Sequence, residues 1–411
     1  MAIVKSWRAF RPTKEYASKI AALPYDVYNR EEATKIVKEN PMSFLAIDRA
    51  ETSFGKEVGT YDDVVYDRAR DLLDAWIKEG RFVQDETDCY YIYEQVMNGR
   101  GQKGIVALAS IDDYVSGVIK KHENTRADKE VDRIRHVETC AAQTGPIFLA
   151  YRGQAELSDI VAKQTSVAPE YDFTGEDGII HRVWVVSEPS VVSRIGEIFE
   201  QMKAIYIADG HHRCASAVKV GLKKREENPG YAGTEEFNFF LSVLFPAEEL
   251  TIMDYNRVVT DLNGYSKEEF LAKVEELFSL EKVGKDAYKP QEKGSFGMYL
   301  DGEWYKLSEK NAKSDRDVVE ALDVSVLQNL LLGPVLGIGD PKTDKRIDFV
   351  GGIRGLSELE RRVANDMTVA FSMYPTSIFE LFDVADAGLL MPPKSTWFEP
   401  KLRSGLFIHK I

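Results

Sequence analysis

The sequence predicts an α/β protein with a mixed sheet. Apolar, β-prone runs alternate with amphipathic helical segments along the chain. Cys89–Val96 and Ile105–Ile111 flank a glycine-rich turn and read as an antiparallel hairpin. The run from Ala204 to Asp209 ends at Gly210 and passes at once into a helical segment. At 411 residues the chain exceeds one ordinary core, so two or three lobes are expected. The expected division is a catalytic region with insertions over residues 1–262 and a C-terminal α/β lobe over residues 263–411, packed on it.

Taken in order, Ile3 to Phe10 reads as a strand broken by Arg11-Pro12. Ala21 to Val27 is extended, because the residue before Pro24 is pushed out of the helical region. Glu31 to Glu39 is a short helix stopped by Asn40-Pro41, and Phe44 to Ile47 suggests a strand. Tyr61 to Glu79 is an amphipathic helix ended at Gly80. After the hairpin come two helical segments, Asp112 to Lys121 and Thr125 to Thr144, closed by Gly145-Pro146. Strands are expected at Ile147 to Tyr151 and Arg182 to Val186, then a helix near Val191 to Met202. The Ile205 strand and the His211 helix follow, then strands at Phe237 to Leu244 and Arg257 to Thr260. The remainder reads as a helix from Ser266 to Phe278, a hairpin around Asp301-Gly302 and a helix from Val318 to Leu332. Strands near Ile347 to Val350 and Met367 to Met373 complete it.

Composition narrows the function. A chain that is 44% hydrophobic and 29% charged is soluble and globular. With 67 acidic and 53 basic residues, a net charge of −14 opposes nucleic-acid binding, which needs a basic footprint. Cys89, Cys140 and Cys214 are odd in number and widely spaced, which fits a reducing cytoplasm and no structural disulfide or zinc knot. The longest greasy stretch, Val324 to Ile338, is too short and too interrupted for a membrane span.

The most informative stretch is Asp209-Gly210-His211-His212-Arg213. Gly210 permits the positive φ of a sharp turn, and the helix that starts there directs unpaired N–H groups and partial positive charge at the turn. Asp209, His211, His212 and Arg213 carry groups suited to phosphate, metal or proton chemistry. The segment Gly99-Arg100-Gly101-Gln102-Lys103-Gly104 has G-x-G-x-x-G spacing but continues as strand, so it is not a dinucleotide fingerprint. There is no Walker A sequence.

A second cluster lies in IKKHENTRADKEVDRIRHVETC. With Thr125 as N-cap and about 100° per residue, Ile134, Val137, Cys140 and Ala141 share one helix face with Arg126, Glu130 and Arg133. An apolar stripe that runs into charge reads either as a solvated or ion-paired helix end or as a pocket wall. In the second reading the arginines meet phosphate or carboxylate, and Glu123 or Glu130 acts as a base or magnesium ligand. His122 and Lys129 are adjacent candidates for substrate contact. Asp26, Asn256, Arg257, Lys394 and Lys401 are weaker candidates, each also explicable as a structural residue.

The Asp-Gly-His-His-Arg run resembles the signature of the ParB/sulfiredoxin-like superfamily. RPTKEYASKIAALPYDVYNREEA, IKKHENTRADKEVDR, TGPIFLAY and MPPKSTWFEPKLRSGL, in this order, resemble a full-length family of uncharacterised bacterial and archaeal proteins within it. The resemblance implies a ParB/sulfiredoxin-like core with a C-terminal α/β extension. It also implies kinship with sulfiredoxins, CTP-hydrolysing partition proteins, nucleases and free serine kinases.

The expected activity is phosphoryl transfer from ATP or ADP, with Mg²⁺, to a small hydroxylated metabolite such as free serine. Such chemistry needs a phosphate cradle, positive charge, magnesium and a base. Gly210, His211, His212, Arg213, Arg126 and Arg133 would hold the nucleotide. Glu123, or after it Asp26, would be the base, and Asp209 with Glu123 would hold magnesium or orient His212. The rivals are a nucleotide hydrolase or switch and a non-catalytic phosphometabolite binder. A sulfiredoxin-like reductase would need a cysteine at the turn, and Cys214 lies one step inside the helix. Nucleotide, acceptor and oligomeric state stay open.

Overall fold

The structure, a computed structural model, describes residues 1–125 and 127–411. Arg126 lies outside the described residues, and so do the side chains of Asp128 and Lys129. The chain forms two compact units, residues 1–250 with 400–411, and residues 251–399. This division differs from the one drawn at residue 262. The strand Tyr255–Val259 pairs with Ile347–Gly351 and Val369–Ser372, so it belongs to the later sheet. Residues near the C-terminus return to the first unit, where Ser404 bridges Ala22, Ile408 bridges Phe10, and His409–Lys410 pairs with Ala142–Gln143.

The first unit is built on a mixed sheet of nine strands among the described residues. Across it run Ile119–Lys120, Ile205–Asp209, Ile147–Tyr151, Phe239–Pro246, Arg100–Ser110, Tyr90–Met97, Ile180–Val186 and Tyr171–Thr174. Val4–Lys5 adds to Arg100–Ser110. Ile205–Asp209 runs parallel to Ile119–Lys120 but antiparallel to Ile147–Tyr151, which in turn runs parallel to Phe239–Pro246. Phe239-Phe240-Leu241-Ser242-Val243-Leu244-Phe245 is buried throughout, as expected of an inner strand covered on both faces. The core gathers Ile105, Leu149, Trp184, Phe199, Ile207, Phe240 and Cys214. A second cluster around Phe44, Trp76, Phe82, Cys140 and Ile408 joins the early helices to the C-terminal segment.

The second unit carries a six-stranded antiparallel sheet in the order Phe278–Gly284, Glu303–Glu309, Ser295–Leu300, Val369–Ser372, Tyr255–Val259 and Ile347–Gly351. Trp304, Val258, Val350, Ala370 and Leu359 of the helix Leu356–Asn365 form a core there.

Several elements depart from expectation. Phe44 to Ile47 is not a strand; Leu45–Asp48 is a helical turn, because a four-residue apolar run has no readable period. Within Ile3 to Phe10, Val4–Lys5 is strand and Phe10 opens a second strand, Phe10–Pro12, in which Arg11 and Pro12 run along Phe82–Gln84 instead of breaking it. The helix expected from Asp112 to Lys121 spans Ile111–Ser116, capped by Ser110 and ended by Gly117 at φ +80°, and Ile119–Lys120 is strand. The charged helix spans Ala127–Cys140; Ala141 takes φ +44°, and Ala142–Gln143 becomes a strand. Val318 to Leu332 holds only the helix Asp323–Leu327 followed by a π turn. The glycine-rich hairpin tip is a tight turn at Asn98-Gly99, both with positive φ, and Gly101 to Gly104 lie in strand.

Candidate active site

The strand Ile205–Asp209 delivers its last carboxylate to a turn, and the helix His211–Glu227 begins one residue later. Gly210 sits at φ +87°, which a side chain would strain. A Cβ there would come within 3.3 Å of the Arg213 guanidinium, so Arg213 folds back across the turn. Its Nη1 donates to the Pro146 carbonyl at 2.8 Å, and a Cβ on Gly145 would meet it at 3.4 Å. Two glycines thus make room for one arginine at the helix N-terminus. The helix has 17 residues, so its first-turn N–H groups and dipole favour an anion at the same place.

Asp209 is held from two sides. Its Oδ1 accepts from the Gly210 N–H at 2.8 Å, and its Oδ2 lies 2.9 Å from the Lys401 ammonium. Burial alone would raise its carboxyl, but Lys401, Arg213 and the Gly210 N–H outweigh that and hold it well below the usual carboxylate range. His212 and Arg213 are half-buried; His211 is buried. His211 meets His122 edge to face, ring centroids 4.5 Å apart. Burial pushes His122 down to about 4, against a hydrogen bond with the Ile207 backbone and the charge of Asp209. Burial, then His122, lowers His211 well below its usual value. Among the described residues, the histidine, cysteine and carboxylate ligand atoms close enough to share one ion belong to His122, Glu123 and His211, a set without Asp209.

The charged helix packs beside this turn helix. Glu130 and Arg133 are buried, and Val131 is exposed. Glu130 pairs with Lys219 and accepts from Thr125. Burial opposes its charge, yet Lys219 and Thr125 keep its carboxyl below the usual value. Arg133 stacks on Tyr25, 3.8 Å from the ring centroid, and pairs with Asp132 at 2.8 Å. Burial works against the Arg133 charge, and Asp132, Tyr25 and Asp48 raise its pKa despite that.

Tyr25, Asp48, Arg133 and His136 line two spaces in common. One is a cavity of about 330 Å³ also lined by Asp26, Arg49 and Asp132. The other is a small gap also lined by Thr144, Gly145, Arg213 and Ser404. The RPTKEYASKIAALPYDVYNREEA segment, the charged helix, the Thr-Gly-Pro turn and the Asp209–Arg213 turn therefore share one neighbourhood. Asp26 is exposed at the cavity wall. Burial lifts the Tyr25 hydroxyl to about 12.

Asn256, Arg257 and Lys394 form a separate network in the second unit. Asn256 donates to Asp254 at 2.6 Å and accepts from the Met373 N–H at 2.9 Å. Arg257, whose pKa burial lowers to about 10, donates to the Lys394 carbonyl at 3.1 Å. Asp48 and His136 had no local signal as cavity residues: each is one buried polar side chain within a mostly apolar or charged run. Thr144-Gly145-Pro146 did carry one, a turn directly before a buried strand.

No curated protein matches the chain. Among solved structures, a free serine kinase variant in complex with ADP is similar at 13% identity and a TM-score of 0.34, covering 72% of this chain and 87% of that one. SbnI with a C-terminal truncation, from Staphylococcus aureus, is similar at 12% identity and a TM-score of 0.37, covering 72% and 82%. A conserved hypothetical protein from Pyrococcus furiosus is similar at 12% identity and a TM-score of 0.33, covering 73% and 93%. Among the described residues, no helix is long and apolar enough to cross a membrane. Residues 4–325 match the model of the family described as Protein of unknown function (DUF1015), and the chain belongs to that family.

Proposed function

We propose that the chain transfers a phosphoryl group from a nucleotide, ATP or ADP, to a small hydroxylated acceptor. The observation that carries this reading is that Tyr25 and Arg133 line both a cavity of about 330 Å³ and the gap reached by Arg213, which itself crosses the start of the long helix. A phosphate at the helix N-terminus and an alcohol in the cavity would meet along that common lining. Arg213 and Arg133 supply fixed positive charge for a transferring phosphoryl group. Asp26 lines the cavity and is the carboxylate suited to take the hydroxyl proton. Glu123, beside His211, would serve the phosphate side of the site. Magnesium enters this reading with the nucleotide, because Mg²⁺ keeps phosphates and waters as its ligands. The resemblance of the motifs to the ParB/sulfiredoxin-like superfamily agrees with such a core and makes free serine the first acceptor to try.

The test is a matrix of ATP, ADP and CTP against serine and other small hydroxy acids, with magnesium, read as phosphorylated acceptor by mass spectrometry. Acceptor-dependent product supports the reading. Phosphate release at an unchanged rate with or without acceptor points instead to a hydrolase, and no turnover with any pair leaves a binding protein.

A further inference from the structure

We propose that His122, His211 and Glu123 form a site for one divalent metal ion of the zinc or cobalt class. Two ring nitrogens, His122 Nδ1 and His211 Nε2, are buried without a hydrogen-bond partner. The two residues are 2% and 7% exposed. A folded chain rarely leaves two such atoms unsatisfied side by side, because each has given up its water. The rings meet at 89° with centroids 4.5 Å apart. The ligand atoms of the two histidines and Glu123 all lie within 4.8 Å of one another.

The donor chemistry points to the class of ion. His122 is hydrogen-bonded to the Ile207 backbone, and since Nδ1 has no partner, that bond runs through Nε2. A backbone bond on one nitrogen orients the ring and leaves the lone pair on the other, as it does for metal-binding histidines generally. Two imidazoles and one carboxylate suit zinc or cobalt, whereas magnesium prefers oxygen ligands and water. Around a tetrahedral ion with bonds near 2.0–2.1 Å, ligand atoms stand about 3.3 Å apart. Side-chain adjustments of about 1.5 Å or less bring this set to that spacing. Glu123 is half-buried and the two histidines are buried. The ordinary alternative is a buried water that satisfies both nitrogens.

The site is tested on the full chain without nucleotide or acceptor, so its outcome is separate from that of the phosphotransferase reading. The protein is equilibrated with Zn²⁺, Co²⁺ or Mg²⁺, freed of unbound ion and assayed for metal content. The expected result is one Zn²⁺ or Co²⁺ retained per chain, a visible Co²⁺ absorption band and a raised melting temperature. His122→Ala and His211→Ala should lose retention. Glu123→Gln keeps shape at a half-exposed position, so it tests the site even if the histidine variants do not fold. It should weaken Co²⁺ binding by about tenfold or more with an unchanged circular dichroism spectrum. Equal retention by the wild type and Glu123→Gln overturns the proposal, as does retention of Zn²⁺ and Co²⁺ no better than Mg²⁺.

Discussion

The Lys401 ammonium lies 2.9 Å from the Asp209 carboxylate, although the two are 192 positions apart in the chain. Lys401 is thus part of the turn at which the long helix starts. Lys401→Met should destabilise the chain by about 1–2 kcal/mol at pH 7, discounted from a fully buried pair because the Asp209 side chain is 36% exposed. Asp209 has a depressed carboxyl, so its contribution is present above the ordinary carboxylate pKa and fades as pH falls below it. The gap between wild type and variant should therefore shrink below about pH 4 in urea unfolding curves.

Arg213→Ala should weaken nucleotide binding by about tenfold or more, measured by titration calorimetry. A charge-assisted phosphate contact is lost, and the Pro146 carbonyl loses its donor. Arg213→Lys should recover only part of the affinity, because a point charge does not reproduce the fork that spans Gly145 and Gly210.

Asp26→Asn should leave nucleotide affinity near wild type and cut acceptor phosphorylation by about 10²–10⁴-fold, the usual effect of removing a positioned base. An unchanged rate would assign the proton to another carboxylate. Asp26 is exposed, so the substitution should leave the unfolding curve in place.

Protonation of His181 should make the fold acid-sensitive. Its Nδ1 lies 2.8 Å from the Tyr93 hydroxyl, and its Nε2 accepts from Arg403 at 3.2 Å. Burial and then Arg403 push its pKa down to about 3, so the ring is neutral in the folded chain. The unfolded chain binds this proton first. Stability is therefore intact above about pH 6.5 and falls as pH drops toward 3, by on the order of 4 kcal/mol. Urea midpoints at pH 7.5 and 4.5 should differ more for wild type than for His181→Gln.

What the sequence revealed depended on how local each signal was. The Asp209–Arg213 turn was legible because a β-prone run, a glycine and four charged or imidazole side chains are contiguous. The charged helix was legible because Glu130 and Arg133 fall on the stripe of Cys140, and the two are buried. The Asp301-Gly302 hairpin followed from its dipeptide, and both residues take positive φ. Phe44 to Ile47 failed because four apolar residues fit helix and strand alike. Asp48, which accepts from Thr144 at 2.9 Å, had no neighbour in sequence to mark it. Lys401 was visible only as a basic residue in a proline-rich segment; its partner depends on how the chain returns after the second unit.

That return has a consequence for the order in which the protein is made. Residues 251–399 are contiguous, so everything their sheet needs has been synthesised before residue 400. The first unit, although begun earlier, is still missing the strand partner of Ala142–Gln143, the bridge to Phe10 and the lysine that faces Asp209. Folding from the N-terminus during translation therefore produces a first unit whose turn at Asp209 is unfinished while the second unit is being built. The nascent chain carries its proposed phosphate site in an incomplete form, and the site is closed only by residues translated after the whole second unit.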